Sequence, residues 1–210
     1  ANRKRVVSKF RADIKQLYEE ANLDQAIDLL GDLDTAGTKP DVGLMNFVLS
    51  LAQKSSSHDL AMQVFMKMKA SGLKLQESTW CIMMSCAMNE ADGSGRGDAE
   101  RVSDAMSYLE GMISSGIPPR FRCYSTLVDH FSSTYDVPSL VNLWSHMKRN
   151  HVKVPSSFYM RLIEVCHHSK GSLKGYGSLV NALLHQLAYT TVRFNEDQGE
   201  ALRGLQHMHV

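Results

Sequence analysis

One spacing constrains this chain more than any other feature. Phe10, Met45, Trp80, Tyr124 and Tyr159 lie 35, 35, 44 and 35 residues apart. Ala26, Ala61, Ala105 and Leu140 step by 35, 44 and 35, as do Leu30, Phe65, Leu109 and Trp144, and Leu33, Met68, Met112 and Met147. Gly37, Gly72, Gly116 and the pair Asn150-His151 close the same pattern. Five columns that share one period and one interruption define an internal repeat, the mark of a stacked array. The units begin near Val7, Val42, Glu77, Phe121 and Ser156, and a tail follows from about Ala188. The interruption lengthens the third unit by nine residues, and the stretch Asp92-Gly93-Ser94-Gly95-Arg96-Gly97-Asp98 explains it. Three glycines and no apolar side chain there predict a flexible loop that can be shortened without unfolding the array.

Each unit reads as two helices. In the second, Met45, Val48, Leu49 and Ala52 form a stripe at three- and four-residue steps, with Asp41 as its N-cap. Ser55-Ser56-Ser57 breaks it, and Leu60, Ala61, Val64, Phe65 and Met68 make a second stripe that stops at Gly72. The fourth unit repeats this with Tyr124, Leu127, Val128 and Phe131, then Leu140, Val141, Leu143, Trp144 and Met147, with Asp136 as cap and Pro138 in the first turn. A pair of amphipathic helices cannot bury both stripes alone, whereas stacked neighbours can. The expected fold is all-α: an α-solenoid of about five 35-residue helix-turn-helix repeats over residues 1–187, with a nine-residue insertion in the third and a helical tail over 188–210. The aromatic and Met columns, Trp80 and Trp144 included, are then core.

Charge enters next. Twenty-three Lys+Arg against 22 Asp+Glu give a net charge of +1, which excludes a polycation and an acidic disordered tail. No apolar run reaches the roughly 18 to 20 residues of a membrane span. Cys81, Cys86, Cys123 and Cys166 form no CxxC pair and predict free thiols in a reducing compartment. The chain starts at Ala1 without Met, as expected of a processed form or a fragment whose targeting peptide is gone. Within the first fifteen residues Arg3, Lys4, Arg5, Lys9, Arg11 and Lys15 cluster, a pattern that suits a phosphate track.

Chemistry of other kinds leaves little trace. Gly93-Ser-Gly-Arg-Gly97 lacks the GK[ST] ending of a phosphate-cradling loop. His167-His168 and His207-Met-His209 have no Cys or carboxylate at ligand spacing. No catalytic residue, metal site or cofactor is expected, and the chain as given reads as a binding protein rather than an enzyme.

Pro40-Asp41-Val42 with Met45-Asn46, then Ala61, Val64-Phe65, Met68-Lys69 and Ser71-Gly72-Leu73-Lys74, resembles the pentatricopeptide repeat (PPR) family. Ala26, Leu29-Leu30, Ala36-Gly37 and Lys39-Pro40-Asp41 match in the first unit, and Tyr124-Ser125-Thr126-Leu127-Val128 and Met147-Lys148 in the fourth. The resemblance covers about 180 of 210 residues. It implies RNA binding in mitochondria or chloroplasts, one base per repeat, read by the fifth and last side chains of each unit. Carried onto this chain, the fifth positions are Arg11, Asn46, Cys81, Ser125 and Met160, and the last are Asp41, Gln76, Arg120 and Pro155.

These residues depart from the pattern the family uses. Asn46 and Ser125 are small polar side chains, but their partners are Gln76 and Pro155 rather than Asp or Asn. The expected RNA contact is therefore mainly to backbone and shape, through Arg11, Asn46, Gln76, Arg120, Arg122 and Ser125, with the arginines on phosphates. What the resemblance implies is an organellar, chiefly mitochondrial, RNA-binding protein of RNA processing or of a ribonucleoprotein, with RNA as partner and DNA not expected. Two alternatives are a scaffold holding other proteins of a mitochondrial ribosome or similar complex, and the RNA-binding half of a protein-only RNase P without its nuclease domain.

Overall fold

A computed structural model of the chain describes residues 39–89 and 95–169, together with positions 12, 16, 25, 26, 28 and 32. Among the described residues there are seven α-helices and no strand: α1 Val42–Lys54, α2 His58–Ala70, α3 Glu77–Ala87, α4 Asp98–Ser114, α5 Phe121–Ser133, α6 Val137–Arg149 and α7 Ser156–His168. The fold is all-α. Apart from those six positions, which are helical, the first helical pair expected from the sequence lies outside the described residues, as do the tail and Arg11.

The chain divides into two compact units, Ala1–Pro119 and Arg120–Val210. In the first, α1 packs on both α2 and α3, and α3 packs on α2 and α4. In the second, α5 packs on α6 and α7, and α6 on α7. Each unit thus pairs helices in hairpins and stacks the first helix of one pair against the first of the next, the local arrangement of an α-solenoid.

The helices start and stop where side-chain chemistry dictates. Asp41 caps α1, its Oδ1 accepting the Leu44 N–H at 2.8 Å. Ser57 caps α2, and Asp136 caps α6 through the Ser139 N–H at 3.1 Å, with Pro138 in the first turn. Five helix ends share one geometry. At Gly72, Gly116, Ser56, Tyr135 and His151 the backbone turns to positive φ, between 53° and 76°. In each, the next N–H reaches back five residues and the turn residue's own N–H reaches back three, as in Leu73→Met68 (3.2 Å) and Gly72→Lys69 (3.0 Å). This is the Schellman stop, which satisfies carbonyls the helix would otherwise leave open. Glycine fills it without strain at two of the five places; Ser56, Tyr135 and His151 each pay a steric cost of about 1 kcal/mol there.

The repeat columns are the core. Met45, Ala61, Met68, Ala105, Leu109, Met112, Tyr124, Leu140 and Met147 are fully buried. Two aromatic pairs hold neighbouring repeats together. Phe65 meets Trp80 edge to face at 5.2 Å between centroids, and the equivalent Trp144 meets Tyr159 at 6.3 Å. One helical turn after each first member stands a lysine: Lys69 Nζ lies 4.8 Å from the Phe65 ring centre, and Lys148 Nζ lies 3.9 Å from that of Trp144. Such ammonium–ring contacts add about 0.5 to 1 kcal/mol at exposed positions. Two buried histidines also join the packing: His58 Nε2 is 3.1 Å from the Tyr108 hydroxyl, and the Tyr124 hydroxyl is 3.0 Å from His146 Nδ1.

One expectation needs correcting. The described end of the glycine-rich stretch is not free of packing. The Arg96 side chain is only 10% exposed, and it donates to Asp104 Oδ2 at 2.9 Å and to the Ala87 carbonyl at 3.1 Å. A guanidinium reaching back from the loop thus ties the end of α3 to the flank of α4, and shortening that removes Arg96 is not neutral. Charge-assisted bonds of this kind are worth more than neutral ones. Arg96→Ala should cost about 1 to 2 kcal/mol, read as a lowered urea midpoint at unchanged slope. An unchanged midpoint would return the segment to a free loop.

Candidate nucleic-acid interface

Among the described residues, those singled out for RNA lie on the first helix of a pair or at its N-cap. Asn46 projects from the middle of α1, half-buried, at the junction with α3. Its Nδ2 donates to Ser78 Oγ at 3.1 Å, and its Oδ1 accepts from Thr79 Oγ1 at 2.7 Å. The same Thr79 hydroxyl accepts the Gln76 backbone N–H at 3.3 Å. Asn46 and Gln76, fifth and last of one unit, are therefore brought together, but through a hydroxyl of the following unit. The amide of Asn46 is engaged at both ends in fastening α1 to the first turn of α3. Any base read there has to displace these bonds.

In the second unit, Arg120 stands at the N-cap position of α5, without a side-chain cap bond, and Arg122 in its first turn; both side chains are exposed. The positive end of the helix and two guanidinium groups share this place, a favourable setting for phosphate. Ser125 follows on the same helix, its Oγ donating to the Arg122 carbonyl at 2.7 Å. It borders a cleft between α5 and α7 that also involves Arg161. Arg161 pairs with Asp129, a contact the sequence reading missed. Its only signal was an acid and a base at nearby places on the first helices of adjacent units.

A larger cleft of about 400 Å³ lies in the first unit, between Lys69, Lys74, Trp80, Gly111 and Ile117. Two of the four thiols are held as thiols: burial pushes Cys86 up to about 12 and Cys166 to about 11, so both keep their protons at neutral pH. Among the described residues no helix is long and apolar enough to cross a membrane.

Helical hairpins stacked first helix on first helix, with polar and cationic side chains along those helices, define a repeat array of the pentatricopeptide class. Residues 1–203 match the family described as the pentacotripeptide-repeat region of PRORP, and the chain belongs to that family. No curated protein matches it in sequence. Among solved structures, it is similar to the PPR domain of Arabidopsis thaliana protein-only RNase P 1 (PRORP1) in complex with tRNA. The TM-score is 0.71 at 17% identity, over 96% of this chain and 99% of that one. It is also similar to nuclear proteinaceous RNase P 2 (PRORP2) from A. thaliana, with a TM-score of 0.68 and 16% identity over 94% of this chain and 41% of that one. For the pentatricopeptide repeat protein PPR10 from maize the values are 0.63 and 20%, over 95% and 26%. The chain thus spans nearly all of the first, but under half of the second and about a quarter of the third. At these identities the likeness is one of fold, an all-α solenoid.

Proposed function

We propose that the chain is an RNA-binding array that grips its RNA mainly through backbone and shape, and that this RNA is of the tRNA kind. The observation that carries the backbone contact is the place of Arg120 and Arg122, two exposed guanidinium side chains at the positive start of α5. The tRNA class draws support from the family and from the PRORP1 PPR domain, solved with tRNA and covered almost whole by this chain. PPR10, solved with an 18-nt psaJ element, supports RNA as the partner class more broadly. In this reading the chain supplies grip and no catalytic group. It acts in RNA processing or in a ribonucleoprotein, in mitochondria or chloroplasts.

The test is a salt titration of binding to a tRNA transcript and to an unrelated RNA of equal length. Phosphate contacts make the logarithm of affinity fall with the logarithm of salt. Arg120→Gln and Arg122→Gln should each weaken binding to both RNAs alike and flatten that slope by up to about one unit. Asn46→Ala should change sequence preference little. Binding of the unaltered protein no tighter than about 10⁻⁴ M at physiological salt would sink the proposal and leave the protein-scaffold reading in its place.

A further inference from the structure

The larger cleft, in the first unit, is built on a missing side chain. The buried Trp80 indole lies with one edge against Gly111, where a Cβ would stand 2.9 Å from Cζ3. In the fourth repeat the same place holds His146, buried and bonded to the Tyr124 hydroxyl. In the third repeat no side chain occupies it, and ring and bare helix backbone form part of the cleft wall. Leu73 and Ile117, both half-buried, add apolar surface. The volume of about 400 Å³ lies within the usual range of ligand sites, about 300 to 1,000 Å³.

Its polar groups complement a particular chemistry. Lys69 and Lys74 line the cleft, both exposed and neither paired with an acid among the described residues. Lys69 Nζ stands 5.6 Å from the Trp80 ring centre, so one charge sits beside the apolar wall. Among the described residues no acid lines the cleft. Ser114 and Ser115 donate their hydroxyl protons to the Gly111 carbonyl at 3.0 and 2.7 Å, which leaves their oxygens as acceptors. The cleft thus suits an anion, an apolar group and N–H donors together. A peptide with a carboxylate beside an apolar side chain carries all three, whereas a phosphate group carries acceptors alone. The C-terminal ends of α2 and α4, which border the cleft, also disfavour a chain of repeated negative charge and suit N–H donors.

We propose that this cleft docks an acidic segment of a partner protein, a stretch in which aspartate or glutamate alternates with apolar residues. The carboxylates take Lys69 and Lys74, and an apolar side chain enters beside Trp80, Leu73 and Ile117. Backbone N–H groups of the segment meet the two serine oxygens. The site uses none of the residues assigned to the RNA grip, and the inference does not depend on that reading.

The probe is the terminally blocked hexapeptide Asp-Leu-Asp-Leu-Asp-Leu, titrated into the isotope-labelled full chain and followed by proton–nitrogen correlation spectra. The chain has two tryptophans, so two indole N–H signals are expected, told apart with Trp80→Phe. The Trp80 signal should shift while that of Trp144 stays, with a Kd below about 1 mM. Asn-Leu-Asn-Leu-Asn-Leu and Asp-Ser-Asp-Ser-Asp-Ser should each bind about fivefold or more weakly, having lost the charges or the apolar side chains. Lys69→Gln and Lys74→Gln should each weaken the acidic peptide about two- to fivefold, the scale of an exposed ion pair. Both lysines are exposed, so neither change threatens the fold. No Trp80 shift at millimolar peptide overturns the proposal, as does equal binding of either control peptide or an unchanged affinity in both lysine variants. A uridine dodecamer that moves the Trp80 signal at lower concentration than the peptide also overturns it and gives the cleft to RNA. If the peptide binds and a tRNA transcript does not, the RNA reading falls alone; if the transcript binds and the peptide does not, this inference falls alone.

Discussion

Trp144→Ala should lower stability by about 3 to 5 kcal/mol, the range for truncating a buried Trp. The indole is 4% exposed and meets Tyr159 edge to face, with the Lys148 ammonium 3.9 Å from its ring centre. Truncation removes the apolar burial, the ring pair and the lysine's resting place together, and leaves a hole at the contact between α6 and α7. Part of the loss is offset because the indole N–H is buried without an acceptor among the described residues, and an unmade bond of that kind already costs the folded state. Urea unfolding followed by circular dichroism reads the effect. A loss below about 1 kcal/mol, the scale of a surface change, would mean that α6 and α7 can close over the gap.

Gly111→Val should cost about 2 to 3 kcal/mol, the upper part of the usual overpacking range. A Cβ at this place would stand 2.9 Å from Cζ3 and 3.0 Å from Cη2 of Trp80. Those atoms belong to a rigid ring, itself 3% exposed and wedged against Phe65, so neither can swing aside as the tip of a flexible side chain would. The glycine is thus the counterpart of the tryptophan: the largest side chain of its column faces the absence of one. The pairing is tested by a double-mutant cycle with Trp80→Leu. In the leucine background the valine should cost close to nothing, because valine forms helix somewhat better than glycine. A full cost in both backgrounds would place the strain somewhere other than the ring.

The fold was legible because its columns state burial directly. Met45, Ala61, Met68, Ala105, Met112 and Met147 stand at repeat positions that must face a neighbour, and all are buried. The Gly72 and Gly116 stops were legible because glycine favours positive φ. The same stops at Ser56 and Tyr135 were not: nothing in either residue type announces a left-handed turn, and the surrounding hydrogen bonds impose it. Loop composition misled at Arg96, since three glycines describe the backbone's freedom and say nothing of a guanidinium long enough to reach Ala87 and Asp104. The candidate interface was legible only as positions. That Asn46 is held by Ser78 and Thr79, and Arg161 by Asp129, depends on side chains 32 or 33 residues away, beyond any local pattern.

The bonds around Asn46 bear on any attempt to reprogram the array. Exchanging one residue or one unit for another assumes that each unit is an independent block. Here the unit is tied across its junction: a new side chain at position 46 strips the Thr79 hydroxyl of its acceptor and Ser78 of its donor, and both belong to the unit that follows. Replacing Asn46 therefore means altering Asn46, Ser78 and Thr79 as one set, and the smallest exchangeable module is the seam between two repeats.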